Sequence, residues 1–262
     1  MKDLFVAGRP AITALIYGGD IKKVENDIKA VINQGADIVG LMLESYDEEC
    51  RRDNGMAKLI DAALGKTIYI TDYIMGNTSK FPVTDEQLHD ELMNFIELSK
   101  GKSKVIADVR ADMYDPVKCQ LTLNEKAIEK QVKFIEEIHE AGAKALMSAH
   151  ILDEPSSAER IIFTAQEQQS RGADIAKIVV TAPDEETLFT NYDVSLKLRK
   201  ELDIPYLFLC GGEFSYRHRR LSGALGSCMM LTRENSMKGE VQPTISEAID
   251  ILKCLGYYEG GK

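Results

Sequence analysis

Short apolar runs alternate with amphipathic stretches along nearly the whole chain, and this rhythm constrains the fold more than any single motif. Runs at residues 11–17, 38–43, 67–74, 104–109, 143–149, 175–181, 205–210 and 227–231 each read as a buried strand. Helical stretches separate them. The first opens on Asp20 as a cap and stops at Gly35. The next, residues 45–64, ends at Gly65, and a third starts at Thr84 with an acidic first turn and stops at Gly101. Others follow at 124–141, at 156–170, from Pro183-Asp184 to about Leu202, and at 246–255. Strands alternating with helices imply a parallel sheet. About eight such units in 262 residues predict one α/β domain spanning 1–262, a (β/α)8 TIM barrel. A doubly wound open sheet is the competing architecture. The first strand, however, turns through Gly18-Gly19-Asp20 and not through GxGxxG, so a dinucleotide fold has no support.

Charge and cysteines narrow the function classes. A formal net charge of -10 argues against nucleic acid as a partner, although a local arginine cluster can still hold a small anion. The five cysteines are scattered without a CxxC pair and read as reduced thiols, not as a disulfide frame or a zinc site. The first residues, MKDLFVAGRPAI, lack the long apolar core of a secretory signal, and no apolar run is long enough to span a bilayer. The expectation is a soluble cytoplasmic protein acting on a small molecule, with no membrane partner.

Two residues carry the chemical argument. Lys177 stands inside the apolar run IAKIVV, and His150 closes the run AKALMSAH. Burying an ammonium is costly unless it is paired or deprotonated, and a lysine in an apolar site is what amine nucleophilic catalysis requires. The plain alternative is a lysine reaching solvent from a strand end. In a barrel, catalytic groups project from the C-terminal strand ends. The candidates there are Asp72 and Tyr73 on the third strand, Asp108 and Arg110 on the fourth, and His150 on the fifth. Lys177 lies on the sixth, Glu213 follows the seventh, and Arg219 or Arg220 comes later. Because strand side chains alternate, Ser148 shares a face with His150, and Asp108 with Arg110. Lysine beside histidine suggests Schiff-base chemistry, with aldol cleavage and β-elimination of water both fitting. A metal site would need clustered His or carboxylates; a non-catalytic acid-binding barrel remains open.

These residues resemble type I 3-dehydroquinate dehydratase. The family has a strand ending in S-x-H, here Ser148-Ala149-His150, with Pro155 and Ser156 after it. It then has G-A-D-I-x-K, here Gly172-Ala173-Asp174-Ile175-Ala176-Lys177. Its R-L-x-G…G-S run resembles Arg220-Leu221-Ser222-Gly223 and Gly226-Ser227, with one residue missing between, and Gln242 resembles a glutamine near the last helix. The resemblance implies a (β/α)8 barrel, often a homodimer, with no metal or organic cofactor. It implies an imine between Lys177 and the ketone of 3-dehydroquinate, His150 as general acid and base, and syn loss of water to 3-dehydroshikimate. Arg220 would hold the substrate carboxylate and Gln242 would close the pocket.

The departures are specific. The family's E-W-R on strand two is replaced by Gly40-Leu41-Met42, and its F-R-S on strand three by the region Ile70-Thr71-Asp72-Tyr73. Its D-x-E on strand four reads Asp108-Val109-Arg110, its loop acid has no counterpart in GNTSK, and Ile151-Leu152 replaces Asp-Phe after the histidine. The reaction machinery and the carboxylate end are retained, whereas the hydroxyl-recognition end is not. A lost hydrogen bond to a buried substrate group can cost up to about 10⁴-fold in discrimination. A related Schiff-base lyase or aldolase for another keto acid, using Met42, Asp72 and Arg110 at its mouth, is the alternative.

Overall fold

The computed structural model describes residues 8–73, 84–236 and 241–258. Its strands are β1 (Ala11–Ile16), β2 (Ile38–Met42), β3 (Thr67–Thr71), β4 (Val105–Arg110), β5 (Lys144–Ile151), β6 (Ile175–Thr181), β7 (Tyr206–Gly211) and β8 (Met229–Thr232). The helices between and after them are α1 (Ile21–Asn33), α2 (Asp53–Ala62), α3 (Asp85–Ser99), α4 (Glu125–Glu140), α5 (Ala158–Ser170), α6 (Glu185–Glu201), α7 (Ser215–Leu221) and α8 (Ile245–Cys254). The strands pair in parallel in the order β7-β6-β5-β4-β3-β2-β1-β8, the nearly closed sheet of a (β/α)8 barrel.

Side-chain alternation divides each strand between two cores. Leu15, Ile38, Met42, Tyr69, Ile106, Leu146, Ile175, Leu207 and Met229 fill the barrel interior. Their neighbours Ile12, Val39, Leu41, Ile68, Ala107 and Ala145 point outward, under the helices. Lys177 shares the inward face with Ile175 and Val179, as His150 and Ser148 share it with Leu146.

The helices begin where polar caps stand. Asp20, Ser157 and Asp184 accept main-chain N–H groups of the first turns of α1, α5 and α6. Thr84 with Gln87, and Thr244 with Glu247, form capping boxes on α3 and α8. The helix expected over 45–64 starts later. Residues Leu43–Ser45 and Glu48–Arg51 are 3₁₀ turns before α2. The turns tie this segment to β1: Gly18 N–H donates to Ser45 Oγ (2.8 Å), and Tyr46 OH donates to Ile16 C=O (3.0 Å). Helix α7, absent from the expected set, sits between β7 and β8. The loop GNTSKFP lies outside the described residues.

Side chains complete the closure between β7 and β8. On the side away from β6, Tyr206 C=O accepts from Cys228 N–H (2.8 Å) and Phe208 C=O from Ser227 Oγ (3.2 Å). Cys210 C=O accepts from Arg219 Nε (2.7 Å). Ser227 Oγ also accepts from Phe208 N–H (3.1 Å). A hydroxyl and a guanidinium thus occupy places where a strand ladder would otherwise run.

Candidate active site

Lys177 projects from β6 into the barrel with 5% of its side chain exposed. Its Nζ donates to Tyr69 OH (2.8 Å), Tyr73 OH (2.8 Å) and Asp108 Oδ2 (2.9 Å). Both phenols donate to the same carboxylate oxygen, Tyr69 at 2.5 Å and Tyr73 at 2.7 Å. Ser148 Oγ donates to Asp108 Oδ1 at 2.5 Å. Burial alone would push the Asp108 carboxyl up, but the Lys177 charge and the Ser148, Tyr69 and Tyr73 hydroxyls outweigh it and hold the carboxyl below its ordinary value. The result is an amine, an anion and two phenols in contact within an apolar barrel.

His150, one strand away on β5, lines the same cavity and meets the Tyr73 ring edge-on at 5.7 Å between centroids. Burial pushes its pKa down to about 3, assisted by the charges of Lys177, Arg219 and Arg110 and opposed by Asp108. The ring is therefore neutral near pH 7, the protonation state a base requires.

The cavity, about 200 Å³, is lined by Leu15, Tyr17, Met42, Tyr69, Tyr73, His150, Leu152, Lys177, Val179, Leu209, Gly211, Arg219, Leu231 and Gln242. It lies at the C-terminal strand ends, where barrel chemistry is found. Arg219 and Gln242 form its cationic side. In the orientation its neighbours require, the Gln242 amide donates to Leu231 C=O (3.0 Å) and accepts from Arg219 Nη1 (2.6 Å). Arg233 Nε holds Gln242 C=O at 2.9 Å, tying this segment to the end of β8. Burial lowers the Arg219 pKa to about 10, still cationic at neutral pH.

The structure brings Lys177, His150 and Gln242 to one cavity, but not five other expected residues. Arg220 faces away: its guanidinium lies 3.3 Å from the Tyr216 ring centroid and pairs with Glu247 at 3.2 Å. The neighbouring Arg219 reaches the cavity instead, because α7 points successive side chains in different directions. Ser148 is buried and spends its hydroxyl on Asp108. Asp72 turns to Arg51 (2.9 Å) behind the third strand; burial raises its carboxyl well above the ordinary value, with Arg51 opposing and Glu91 reinforcing the shift. Arg110 faces inward but is held by Asp85 at 2.7 Å and Asp112 at 3.5 Å. Glu213 lies outside the cavity lining.

Two positions, one on β2 and one just after it, bear on the missing strand-two acid. At Gly40, where the resembled family carries its strand-two glutamate, an added Cβ would stand 2.7 Å from Leu15 Cδ2 and 3.1 Å from Ala14 C=O. Leu15 fills the room that side chain would need. Two residues past Met42, Glu44 enters from the first 3₁₀ turn, fully buried, and its carboxyl accepts from Thr71 Oγ1 at 3.0 and 3.2 Å. Burial lifts its pKa to about 7, partly countered by its own backbone N–H and by Thr71.

A (β/α)8 barrel holding an amine against a carboxylate, with a neutral histidine beside it, has the layout of an amine-dependent lyase. The family model for type I 3-dehydroquinase matches residues 12–259. A 3-dehydroquinate dehydratase of Clostridium kluyveri is 23% identical over 255 residues, covering 96% of this chain and 94% of that protein. Another, of Klebsiella pneumoniae, is 22% identical over 253 residues, covering 96% and 95%. The crystal structure of 3-dehydroquinate dehydratase from Geobacillus kaustophilus superposes with a TM-score of 0.81 at 18% identity, covering 97% of this chain and 94% of that one. The chain belongs to the type I 3-dehydroquinase family, and it is a lyase of the dehydratase kind.

Proposed function

We propose that this protein dehydrates 3-dehydroquinate to 3-dehydroshikimate through an imine on Lys177. The observation that carries the reading is the placement of Lys177 Nζ at a cavity shared with His150, in a chain of this family. The amine reacts in its neutral form, once it has lost its proton. Nitrogen attacks the ketone carbon, the carbinolamine loses water, and the iminium draws electrons from the neighbouring C–H. His150 takes that proton and returns it to the departing hydroxyl, which leaves as water. A second water hydrolyses the imine and frees Lys177.

Arg219, with Gln242 against it, is the group we assign to the substrate carboxylate, in place of Arg220. The strand-two and strand-three patterns that grip hydroxyls in the family are absent here, so Tyr17 and Tyr73 supply the polar atoms on that wall. Family membership favours 3-dehydroquinate over other keto acids. The same reading places the protein in the shikimate route to aromatic amino acids, as a cytoplasmic homodimer needing no cofactor. Among the described residues, no helix is long and apolar enough to cross a membrane.

The test is borohydride reduction of the protein with 3-dehydroquinate, followed by mass spectrometry. A substrate- or product-mass adduct on Lys177, absent from Lys177→Ala, supports the reading. A folded protein that turns over and traps no 3-dehydroquinate would overturn it.

A further inference from the structure

Gln120 lies in the loop between β4 and α4, in the left-handed backbone region with φ 48°. Its Oε1 meets two nitrogens of His150: the main-chain N at 3.0 Å and Nδ1 at 2.7 Å. The main-chain N–H can only donate, so the atom facing it is the amide oxygen and not the amide nitrogen. That oxygen can only accept, so Nδ1 carries a proton. A neutral imidazole has one such proton, which leaves the lone pair on Nε2.

We infer that Gln120 is a positioning residue for His150: it fixes the Nδ1–H tautomer, presents Nε2 as the single basic nitrogen, and withholds the anionic support a carboxylate would give the charged ring. This rests on the reading of His150 as the base. The groups around the ring define the consequence. Lys177 from β6, Arg110 from β4 and Arg219 from α7 oppose an imidazolium; Asp108 from β4 favours it, and the Tyr73 ring edge is uncharged. A neutral amide at position 120 leaves that balance unfavourable to the charged ring, so His150 stays a free base into acid solution. A carboxylate there would hold the same tautomer and add an anion at Nδ1, stabilising the protonated ring.

The experiment compares the wild type with Gln120→Glu and Gln120→Leu, by ¹⁵N NMR of the imidazole and by pH–rate profiles with 3-dehydroquinate. In the wild type, Nδ1 is expected protonated and Nε2 not. In Gln120→Glu the tautomer is kept and the acid limb of kcat/KM moves up by at least about one pH unit. In Gln120→Leu, kcat is expected to fall at least about tenfold, with KM changing less than about threefold. An Nε2–H tautomer in the wild type overturns the inference, as does an unmoved acid limb in Gln120→Glu. Should Gln120→Leu fail to fold, those two measurements decide. The tautomer is read without turnover, so an active His150→Ala would remove the base assignment while leaving the tautomer result standing.

Discussion

Lys177 Nζ and Asp108 Oδ2 lie 2.9 Å apart inside the barrel, with 5% and 0% of their side chains exposed. Each charge is tolerable there because of the other. Removing one partner of a buried pair typically costs about 3–5 kcal/mol, whereas replacing both by apolar groups is often neutral. Lys177→Ala is therefore expected to abolish imine formation and to lower unfolding stability by about that amount. Lys177→Met combined with Asp108→Leu removes both charges but strands the Tyr69, Tyr73 and Ser148 hydroxyls that donate to Asp108, so it is expected to recover only part of the stability and none of the activity. Urea unfolding of the single and double variants measures the coupling; a Lys177→Ala protein as stable as the wild type would sink the argument.

Glu44 gives a pH-dependent cost. Its pKa is higher in the folded chain, about 7, than the ordinary 4.5, so the folded state holds the proton more tightly. The unfolded chain then loses its proton first as pH rises, and stability falls between about pH 4.5 and 7. At about 1.4 kcal/mol per pH unit, the loss is on the order of 3 kcal/mol. Glu44→Gln removes this titration and keeps an acceptor for Thr71. The variant is expected to gain stability on the wild type as pH is raised from 5 to 8. Melting curves across that range check it, and parallel profiles would be the contrary result.

The two adjacent arginines separate cleanly. Arg219 lies in the cavity, while Arg220 spends its charge on Tyr216 and Glu247. A charge-assisted hydrogen bond contributes about 1.5–3 kcal/mol, so Arg219→Ala is expected to raise KM for the carboxylate substrate by roughly 10- to 100-fold. Arg220→Ala removes a pairing with a part-exposed glutamate and is expected to leave KM within about twofold, at a stability cost under about 1 kcal/mol. Steady-state kinetics on both variants decide; equal effects would return Arg220 to the site.

Ser227→Ala tests the closure of the barrel. It leaves the Phe208 N–H and C=O without the hydroxyl they share. The expected loss is about 1–3 kcal/mol, with faster hydrogen exchange at the Phe208 amide. Unchanged exchange there would mean the serine does not hold that edge.

The barrel and its amine were legible because both obey strand periodicity. Lys177 and His150 face inward by the same alternation that buries Ile175 and Leu146. Tyr69 was equally available, one inward position below Thr71, but an aromatic in an apolar run carries no mark of chemistry until Lys177 is seen beside it. Asp72 follows the last residue of β3, where alternation stops governing direction, and Arg51 claims it. Arg110 does face inward, yet Asp85, distant in sequence, takes its charge. Glu44 and Gln120 belong to a turn and a loop, which have no period to read. For Arg219 a signal existed. The residue missing between Arg220-Leu221 and Gly226-Ser227 shifts the count by one, so reckoning back from Gly226-Ser227 lands on Arg219.

The close fit of Gly40 against Leu15 reaches beyond the present sequence. A Cβ at position 40 would stand 2.7 Å from Leu15 Cδ2 and 3.1 Å from the Ala14 carbonyl oxygen, so a residue larger than glycine fits only if Leu15 swings aside or is trimmed. An acid returning to the second strand has to push Leu15 aside within the packed barrel interior, and trimming Leu15 first would open a void without the acid to fill it. The two positions are energetically coupled. Selection for tighter hydroxyl recognition therefore has easier routes through Tyr17, Tyr73 or Met42 than through the strand position the wider family uses.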